Sequence, residues 1–339
     1  MNTKNPLLKV TTPSKELRRK SRQALKGSWF KAMLLLIVWG IFAGVISAGA
    51  SFIGSIISGM AASSGINSAI EGGSVTTGAG FIGIIIVLLV YVAAFILSSA
   101  FTLGISTYFL KIAKEKQASI GDLFAAFREG AVFRSAGLAF VQSIFIFLWS
   151  LLFVIPGIIA AFRYSQAFYV LAEMPHKSIS ACMNKSKELM SVNKSKLFWL
   201  DLSFIGWWLL SGIAGIAVMV ILFLIFAKDS IMLISQLAGS EVTPETMAYI
   251  APQILSIITA LGIGGLISAL LYLPVQVYSA AANAVFYRVA QAKRAQAVRT
   301  ASETELLLAA EDEKLLAEDS KSGEFSWNED DFDEENIDY

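Results

Sequence analysis

Long runs of residues without a charged side chain decide what this sequence can fold into. The first run extends from Ala32 to Met60 and the second from Gly80 to Leu110. About 20 such residues suffice for an α-helix to cross a hydrocarbon core about 30 Å thick. Charged residues make up only 16% of the chain, whereas soluble domains carry about 25%. The sequence therefore predicts an all-α, polytopic membrane protein and excludes the soluble globular, disordered and fibrous classes.

A third apolar region, Ala136 to Leu171, contains the dipeptide Pro156-Gly157. This dipeptide is a strong turn signal, because proline lacks a helix donor and glycine tolerates unusual backbone angles. The region forms either one long kinked helix or two spans. With two, the predicted spans are about 30–60, 80–110, 136–155, 157–174, 197–227 and 251–287.

The distribution of basic residues favours two spans in this region. With six crossings, 25 of the 27 Lys and Arg residues lie on one side of the membrane, in residues 1–31, 111–134, 177–196 and 288–339. Lys228 lies in an outside loop, and Arg163 lies inside a span. Cytoplasmic loops of membrane proteins are enriched in Lys and Arg. We therefore predict that both termini are cytoplasmic and that Pro156-Gly157 forms an external turn.

Three parts of the chain follow from this topology. Residues 1–28 form a basic, amphipathic cytoplasmic segment, and residues 29–290 form the six-span membrane domain. Residues 291–339 form an acidic, largely disordered cytoplasmic tail, with a short helix that ends at about Asp319. Of the 26 acidic residues in the whole chain, 15 lie in this tail, all after position 302. It is either a solvated appendage or a ligand for a protein partner, with Phe325, Trp327 and Phe332 as anchors.

Short amphipathic segments precede the predicted hairpins. The clearest has four apolar residues on one helical face: Ile120, Leu123, Phe124 and Phe127. The other two are residues 14–28 and 179–190. Their apolar faces either lie in the membrane interface, with Lys and Arg on anionic headgroups, or cap the bundle without specific lipid contact.

The sequence contains little material for catalysis. Cys182 is the only cysteine and His176 the only histidine, so an intrachain disulfide and a histidine metal cluster are both excluded. No pair of carboxylates and no nucleophile–base arrangement stands out. We predict no enzyme activity, no catalytic residue, no cofactor and no metal. Nucleic-acid binding is not expected either, because the basic residues lie at the ends of spans.

Two ionisable residues inside predicted spans form the candidate ligand site. Arg163 lies about 9 Å beyond the Pro156-Gly157 turn, and Asp201 lies near the start of the fifth span. Each charge in a bilayer costs about 2.5–3.5 kcal/mol. Arg163, Tyr164 and Asp201 are the predicted ligand-binding residues, since a guanidinium binds phosphate or carboxylate bidentately. Alternatively, Arg163 extends to the interface, and Asp201 caps a helix or pairs with Lys196.

Small residues recur at helical spacing in two spans. Gly40 and Gly44 lie in the first span, and Gly262, Gly265 and Ser268 lie in the last. Such spacing permits close helix approach in membranes. We therefore expect these faces to allow a homo-oligomer.

One stretch, from Phe147 to Leu209, resembles a known family. It contains the IPG turn at 155–157, Arg163-Tyr164-Ser165, SKELM at 186–190 and LDLSFIGW at 200–207. ALKGSW at 24–29, DLFAAF at 122–127 and YLPVQVYSAAANAVFY at 272–287 extend the resemblance. These motifs are similar to those of the domain of unknown function 975 membrane proteins of Gram-positive bacteria. The chain has Val275 where that family usually has a tyrosine.

The resemblance implies a multi-pass protein of the bacterial plasma membrane. The family looks related to the membrane domain of some bacterial glycerophosphodiester phosphodiesterases, but it has no assigned activity. Three function classes follow. The first is a non-enzymatic component that binds, transports or protects against a lipid or other amphiphile, with membrane lipids as partners. The second is a scaffold that recruits a protein through the acidic tail, and the third is a lipid-headgroup enzyme.

Overall fold

The computed structural model describes residues 9–70, 77–237 and 244–322, and most of these residues are helical. In chain order the helices are α1 (Ser14–Ala24), α2 (Trp29–Ile70), α3 (Thr77–Ala113), α4 (Ala125–Arg128), α5 (Val132–Leu152), α6 (Val154–Tyr164), α7 (Ala167–Glu173), α8 (Ile179–Leu189), α9 (Lys194–Leu202), α10 (Ile205–Leu237) and α11 (Pro244–Ser322). A 3-10 helix, Ile120–Phe124, lies between α3 and α4. These three ranges contain no strand.

Six helical segments of the described chain are long and apolar enough to cross a membrane. They are Trp29–Ile56, Ile85–Ala113, Val132–Leu152, Val154–Glu173, Lys194–Ile225 and Ile254–Leu315. The fourth joins α6 with α7, and the fifth joins α9 with α10. The predicted all-α bundle with six membrane-spanning helices is therefore confirmed.

The third and fourth spans form a hairpin that breaks at Phe153, so the predicted turn at Pro156-Gly157 is wrong. Phe153 has an extended backbone (φ −162°, ψ 152°) and separates α5 from α6. Pro156 lies in the first turn of α6, where backbone N–H groups have no partner within the helix and a proline costs little. Gly157 instead allows the two helices to approach, because an added Cβ would lie 2.9 Å from the Cα of Ser150.

The buried core lies at one end of the bundle. α3 is central and contacts α2, α5, α7 and α11. Among the fully buried side chains are Tyr108 and Phe109 of α3 and Tyr287 of α11. Elsewhere along the spans, apolar side chains such as Leu89 and Leu210 are mostly exposed. Exposed apolar side chains along a helix suit contact with lipid tails.

The short amphipathic segments cover this buried end. Leu17 and Leu25, in and just after α1, are fully buried, and so is Cys182 of α8. The 3-10 helix lies directly over Gly104 of α3, where an added Cβ would stand 2.7 Å from the Cα of Leu123. These segments therefore form a capping layer on the bundle, which is one of the two roles that their sequence pattern allows.

Small residues bring α10 and α11 together. The Ser268 hydroxyl donates to the carbonyl of Gly215 at 3.1 Å and to that of Gly264 at 2.7 Å. An added Cβ on Gly215 would lie 3.1 Å from the Cβ of Ser268. A Cβ added to Gly40, Gly44, Gly262 or Gly265 would meet no atom of the described residues within 4 Å. Self-association through those glycines stays a prediction.

α11 continues beyond the membrane into the acidic tail. Its 79 residues measure about 120 Å, which is several times the thickness of a hydrocarbon core. Helix extends to Ser322, close to the predicted end at about Asp319, and it continues from the last span without a break. Residues 301–319 are rich in Ala, Leu and Glu, which are strong helix formers. The predicted anchors Phe325, Trp327 and Phe332 lie outside the described residues.

Candidate functional site

Basic residues from several helices meet at the buried end of the bundle, which we call the basic end. It comprises α1, the last turn of α3, α7, α8, the start of α9 and residues 285–295 of α11. Long-range hydrogen bonds fix this arrangement. The backbone N–H of Val10 donates to Asn193 Oδ1 at 2.8 Å, and the Tyr278 hydroxyl donates to the carbonyl of Arg18 at 3.3 Å.

Glu173, at the end of α7, is the centre of an ion-pair network. Its carboxylate accepts hydrogen bonds from Lys114 Nζ at 2.5 Å, from the Tyr287 hydroxyl at 2.9 Å and from Gln291 Nε2. Lys185 Nζ lies 3.9 Å from the same carboxylate. These partners belong to α3, α8 and α11, so one side chain links four helices.

Two arginines of α11 extend the network. Arg294 makes a bidentate pair with Glu188, at 2.8 Å and 2.9 Å, and so fixes α8 to α11. Arg288 donates to the backbone carbonyl of Ala113 and lies 3.5 Å from Glu115. The carbonyls in the last turn of a helix lack partners within it, so Arg288 caps α3. Both arginines therefore hold α11 in place against α3 and α8.

The ionisable groups of α8 are shifted by burial and by one another. Burial lowers the pKa of Lys185, while the carboxylate of Glu173 opposes this shift. Burial also raises the pKa of the Cys182 thiol, although Lys177 and Lys185 act in the opposite direction. Cys182 is thus a buried thiol of low reactivity. Within the described residues, no group of three His, Cys, Asp or Glu side chains is placed to hold a metal ion.

A cleft of about 780 Å³ lies between α1, the end of α3 and α11, and we call it the α1 cleft. Its charged lining residues are Lys20, Lys26, Lys116, Arg288 and Glu115. Its apolar lining includes Ile112, Val285 and Val289. Cations beside an apolar wall suit a molecule with an anionic head and an apolar body.

Two further clefts continue from the α1 cleft along the basic end. One, of about 470 Å³, surrounds Glu173 and is also lined by Lys114, Lys185, Arg288 and Arg294. The other, of about 250 Å³, is lined by Arg163, Lys187, Lys194 and Glu188, together with Asn184 and Ser191. Arg288 belongs to the first two clefts, and the Arg294–Glu188 pair joins the last two. The three clefts therefore form a continuous strip, which we call the basic strip.

The structure does not bring the three predicted ligand residues into one site. Arg163 lines the smallest cleft of the basic strip. Tyr164 is buried, and its ring lies 5.8 Å from that of Phe145 in a neighbouring, mostly apolar cleft, which shares Asn184 and Lys187 with the cleft of Arg163. Asp201 accepts a hydrogen bond from Asn283 Nδ2 at 3.3 Å, where α9 meets α11. Arg163 and Asp201 thus have different surroundings in the structure.

Glu173 and Glu188 organise the basic strip, and neither was predicted from the sequence. The distribution of acidic residues in the sequence could have indicated these two glutamates. Residues 303–339 hold 15 of the 26 Asp and Glu residues, so acids are rare in the rest of the chain. A lone glutamate among the lysines at the end of a span is therefore a candidate for ion pairing.

A model of one protein family matches most of the chain. Its description is a protein of unknown function (DUF975), and it matches residues 11–159 and 150–294. The matched residues include every residue that lines the α1 cleft, and they end before the acidic residues 303–339. No curated protein and no solved structure matches the chain.

Proposed function

We propose that this chain, which belongs to the DUF975 family of proteins of unknown function, is a multi-pass membrane component that binds an anionic amphiphile. The amphiphile is a membrane lipid or a compound that resembles one. Binding takes place at the basic strip, and the role requires no catalysis. Transport of the amphiphile and protection against it are both uses of such a site.

The observation that carries this proposal is the excess of positive charge in the basic strip. Ten cations and three carboxylates line the three clefts. Clefts lined by one sign of charge concentrate the field and attract ligands of the opposite sign. A Lys or Arg near an anionic membrane surface contributes about 1 kcal/mol to binding. The strip therefore favours an anionic group over a neutral one.

Exposed aromatic residues support a position of the basic strip at the level of the lipid headgroups. Phe30 is 75% exposed, Phe133 80% and Trp199 61%. Phe30 and Phe133 lie at the starts of α2 and α5, and Trp199 lies in the first turns of the fifth span. Aromatic residues are enriched where a span enters the headgroup region. A ligand in the strip could keep its apolar body among the lipid tails.

We place the basic end on the cytoplasmic side of the plasma membrane of a Gram-positive bacterium. The support is the asymmetric distribution of Lys and Arg, 25 of 27 of which lie in segments on the side of the basic end. The cytoplasmic leaflet also carries anionic lipids. The resemblance to the membrane domain of glycerophosphodiester phosphodiesterases agrees with a lipid as partner and assigns no activity.

Lipids that co-purify with the full chain test this proposal. The protein is extracted mildly from native membranes, and its bound lipids are compared with those of the bulk membrane by mass spectrometry. We expect anionic phospholipids to be enriched on the protein, and a high-salt wash to reduce this enrichment. A bound-lipid composition equal to that of the bulk membrane would overturn the proposal.

A second candidate function, a scaffold for a protein partner, has one observation in its favour. α11 extends as a helix beyond the basic end, and there it exposes Leu306, Leu307 and Leu315 among acidic residues. Truncation after Ala301 should leave insertion intact and remove a partner that binds the tail. If the proteins that co-purify with the full chain all remain after truncation, the scaffold function loses its support.

A further inference from the structure

We propose that the α1 cleft is a binding site for a phosphate group, carried by the headgroup of an amphiphile. This inference rests on the proposed function and assigns it to one cleft and one ligand chemistry. Two observations carry it. Two lysines in the cleft have no ion-pair partner among the described residues, and the backbone turns that hold them lie at its lining.

The positive charge in the α1 cleft is only partly balanced by carboxylates of the protein. Arg288 lies 3.5 Å from Glu115, and Lys20 lies 3.3 Å from Glu16. Lys26 and Lys116 form no ion pair with any residue of the described ranges. Like charges held in one cleft repel each other, and an anion between them relieves this repulsion. An anion therefore completes the charge balance of this cleft.

The two unpaired lysines are positioned by left-handed backbone turns. Gly27 (φ 81°) separates Lys26 from Ser28, and both of these neighbours line the cleft. Glu115 (φ 56°) precedes Lys116 at the end of α3, where the N–H of Lys116 donates to the carbonyl of Lys111 at 2.9 Å. Gly27 adopts this conformation without strain, and Glu115 adopts it in the cap that ends α3. The two turns together hold both lysines in the lining of the cleft.

The cleft also has the size and the apolar wall that a headgroup site requires. Its volume of about 780 Å³ lies in the range of small-molecule sites. Val289 is partly exposed and forms the apolar wall together with the edges of Ile112 and Val285. Lys and Arg are the usual ligands of phosphate in proteins. A lipid headgroup fits this cleft, because its phosphate can lie among the lysines while its glycerol and upper acyl carbons contact the apolar wall.

Matched pairs of substitutions test the site without disturbing the core. The cleft variant carries Lys26→Gln and Lys116→Gln, and both lysines are exposed. The control variant carries Lys15→Gln and Lys31→Gln, which are exposed and lie outside the cleft. Both variants lose the same formal charge from the same end of the bundle. Each full-length protein is placed in phosphatidylcholine nanodiscs, and binding of short-chain phosphatidic acid and of inorganic phosphate is measured by calorimetry.

We expect the cleft variant to bind phosphatidic acid about tenfold more weakly than wild type, since two cations near the phosphate are lost. The control variant should bind like wild type. If wild type binds inorganic phosphate much more weakly than phosphatidic acid, the ligand is a lipid. If it binds both equally and the cleft variant loses both equally, the ligand is free phosphate. Equal losses in both variants overturn the α1 cleft as the site.

The lipid composition on each purified variant separates the two proposals. If wild type enriches anionic lipids and the cleft variant enriches them equally, the site is wrong and the proposed function stands. If wild type shows no enrichment, the proposed function itself fails.

Discussion

Replacement of Glu173 by glutamine should destabilise the basic end more than any change to an exposed carboxylate there. The carboxylate accepts hydrogen bonds from Lys114, Tyr287 and Gln291, and Lys185 lies 3.9 Å away. Glutamine keeps the shape and one accepting oxygen. It removes the negative charge, so Lys114 and Lys185 remain close together without a counter-charge.

The size of the destabilisation depends on how deeply the ion-pair network around Glu173 is buried. Loss of one partner from a buried ion pair costs about 3–5 kcal/mol. The side chain of Glu173 is 19% exposed and that of Lys114 is 29% exposed, so partial solvation favours the lower limit. We expect a loss of about 3 kcal/mol, which corresponds to a fall in Tm of about 6 °C or more for a domain of a few hundred residues.

Thermal unfolding of the purified protein in nanodiscs, followed by tryptophan fluorescence, measures this effect. Glu115→Gln is the control, because Glu115 is 79% exposed and its pair with Arg288 should contribute at most about 1 kcal/mol. Adding Lys114→Met to Glu173→Gln should recover part of the loss, since one unpaired cation disappears. Equal shifts in Tm for Glu173→Gln and Glu115→Gln would refute the reasoning.

Three further predictions concern single residues. Arg163→Lys keeps the charge but loses the planar guanidinium, so it should reduce the amount of anionic lipid that co-purifies. Arg163→Ala should reduce this amount further. Wild-type amounts of lipid on both variants would contradict a ligand role for Arg163. Cys182 should resist maleimide at about pH 8 until the protein is unfolded, because burial both shields the thiol and raises its pKa; rapid labelling of the folded protein would contradict this. In a Cys182→Ser background, Phe153→Cys should be labelled from outside intact cells and Lys187→Cys should not, and the reverse pattern would overturn the cytoplasmic basic end.

The six spans could be predicted because their signal is local. Ala32 to Met60 and Gly80 to Leu110 contain no charge, and a helix in lipid needs little more than length and apolarity. The hairpin turn was misplaced for an equally local reason. Proline marks turns, but it also fits the first turn of a helix, and only the contact between Gly157 and Ser150 shows which role applies.

The basic strip could not be predicted in the same way. Lys114, Glu173 and Tyr287 are far apart in the sequence, and no periodicity relates them. Their contact depends on how α3, α7 and α11 pack. Arg163 was recognised because a charge inside a span is conspicuous, and it does line one of the clefts. Whether Asp201 shares a site with Arg163 could not be read from sequence position, and in the structure Asp201 pairs with Asn283 of α11.

Photocrosslinking in native membranes tests the central claim most directly. A phosphatidic acid analogue with a photoreactive group near its phosphate is incorporated, activated and mapped by mass spectrometry, with a phosphatidylcholine analogue as the control. We predict crosslinks from the anionic analogue in residues 14–28, 111–116 and 285–294, with few from the neutral one. Crosslinks from both analogues spread evenly over the apolar spans would contradict an anionic-amphiphile site at the basic end.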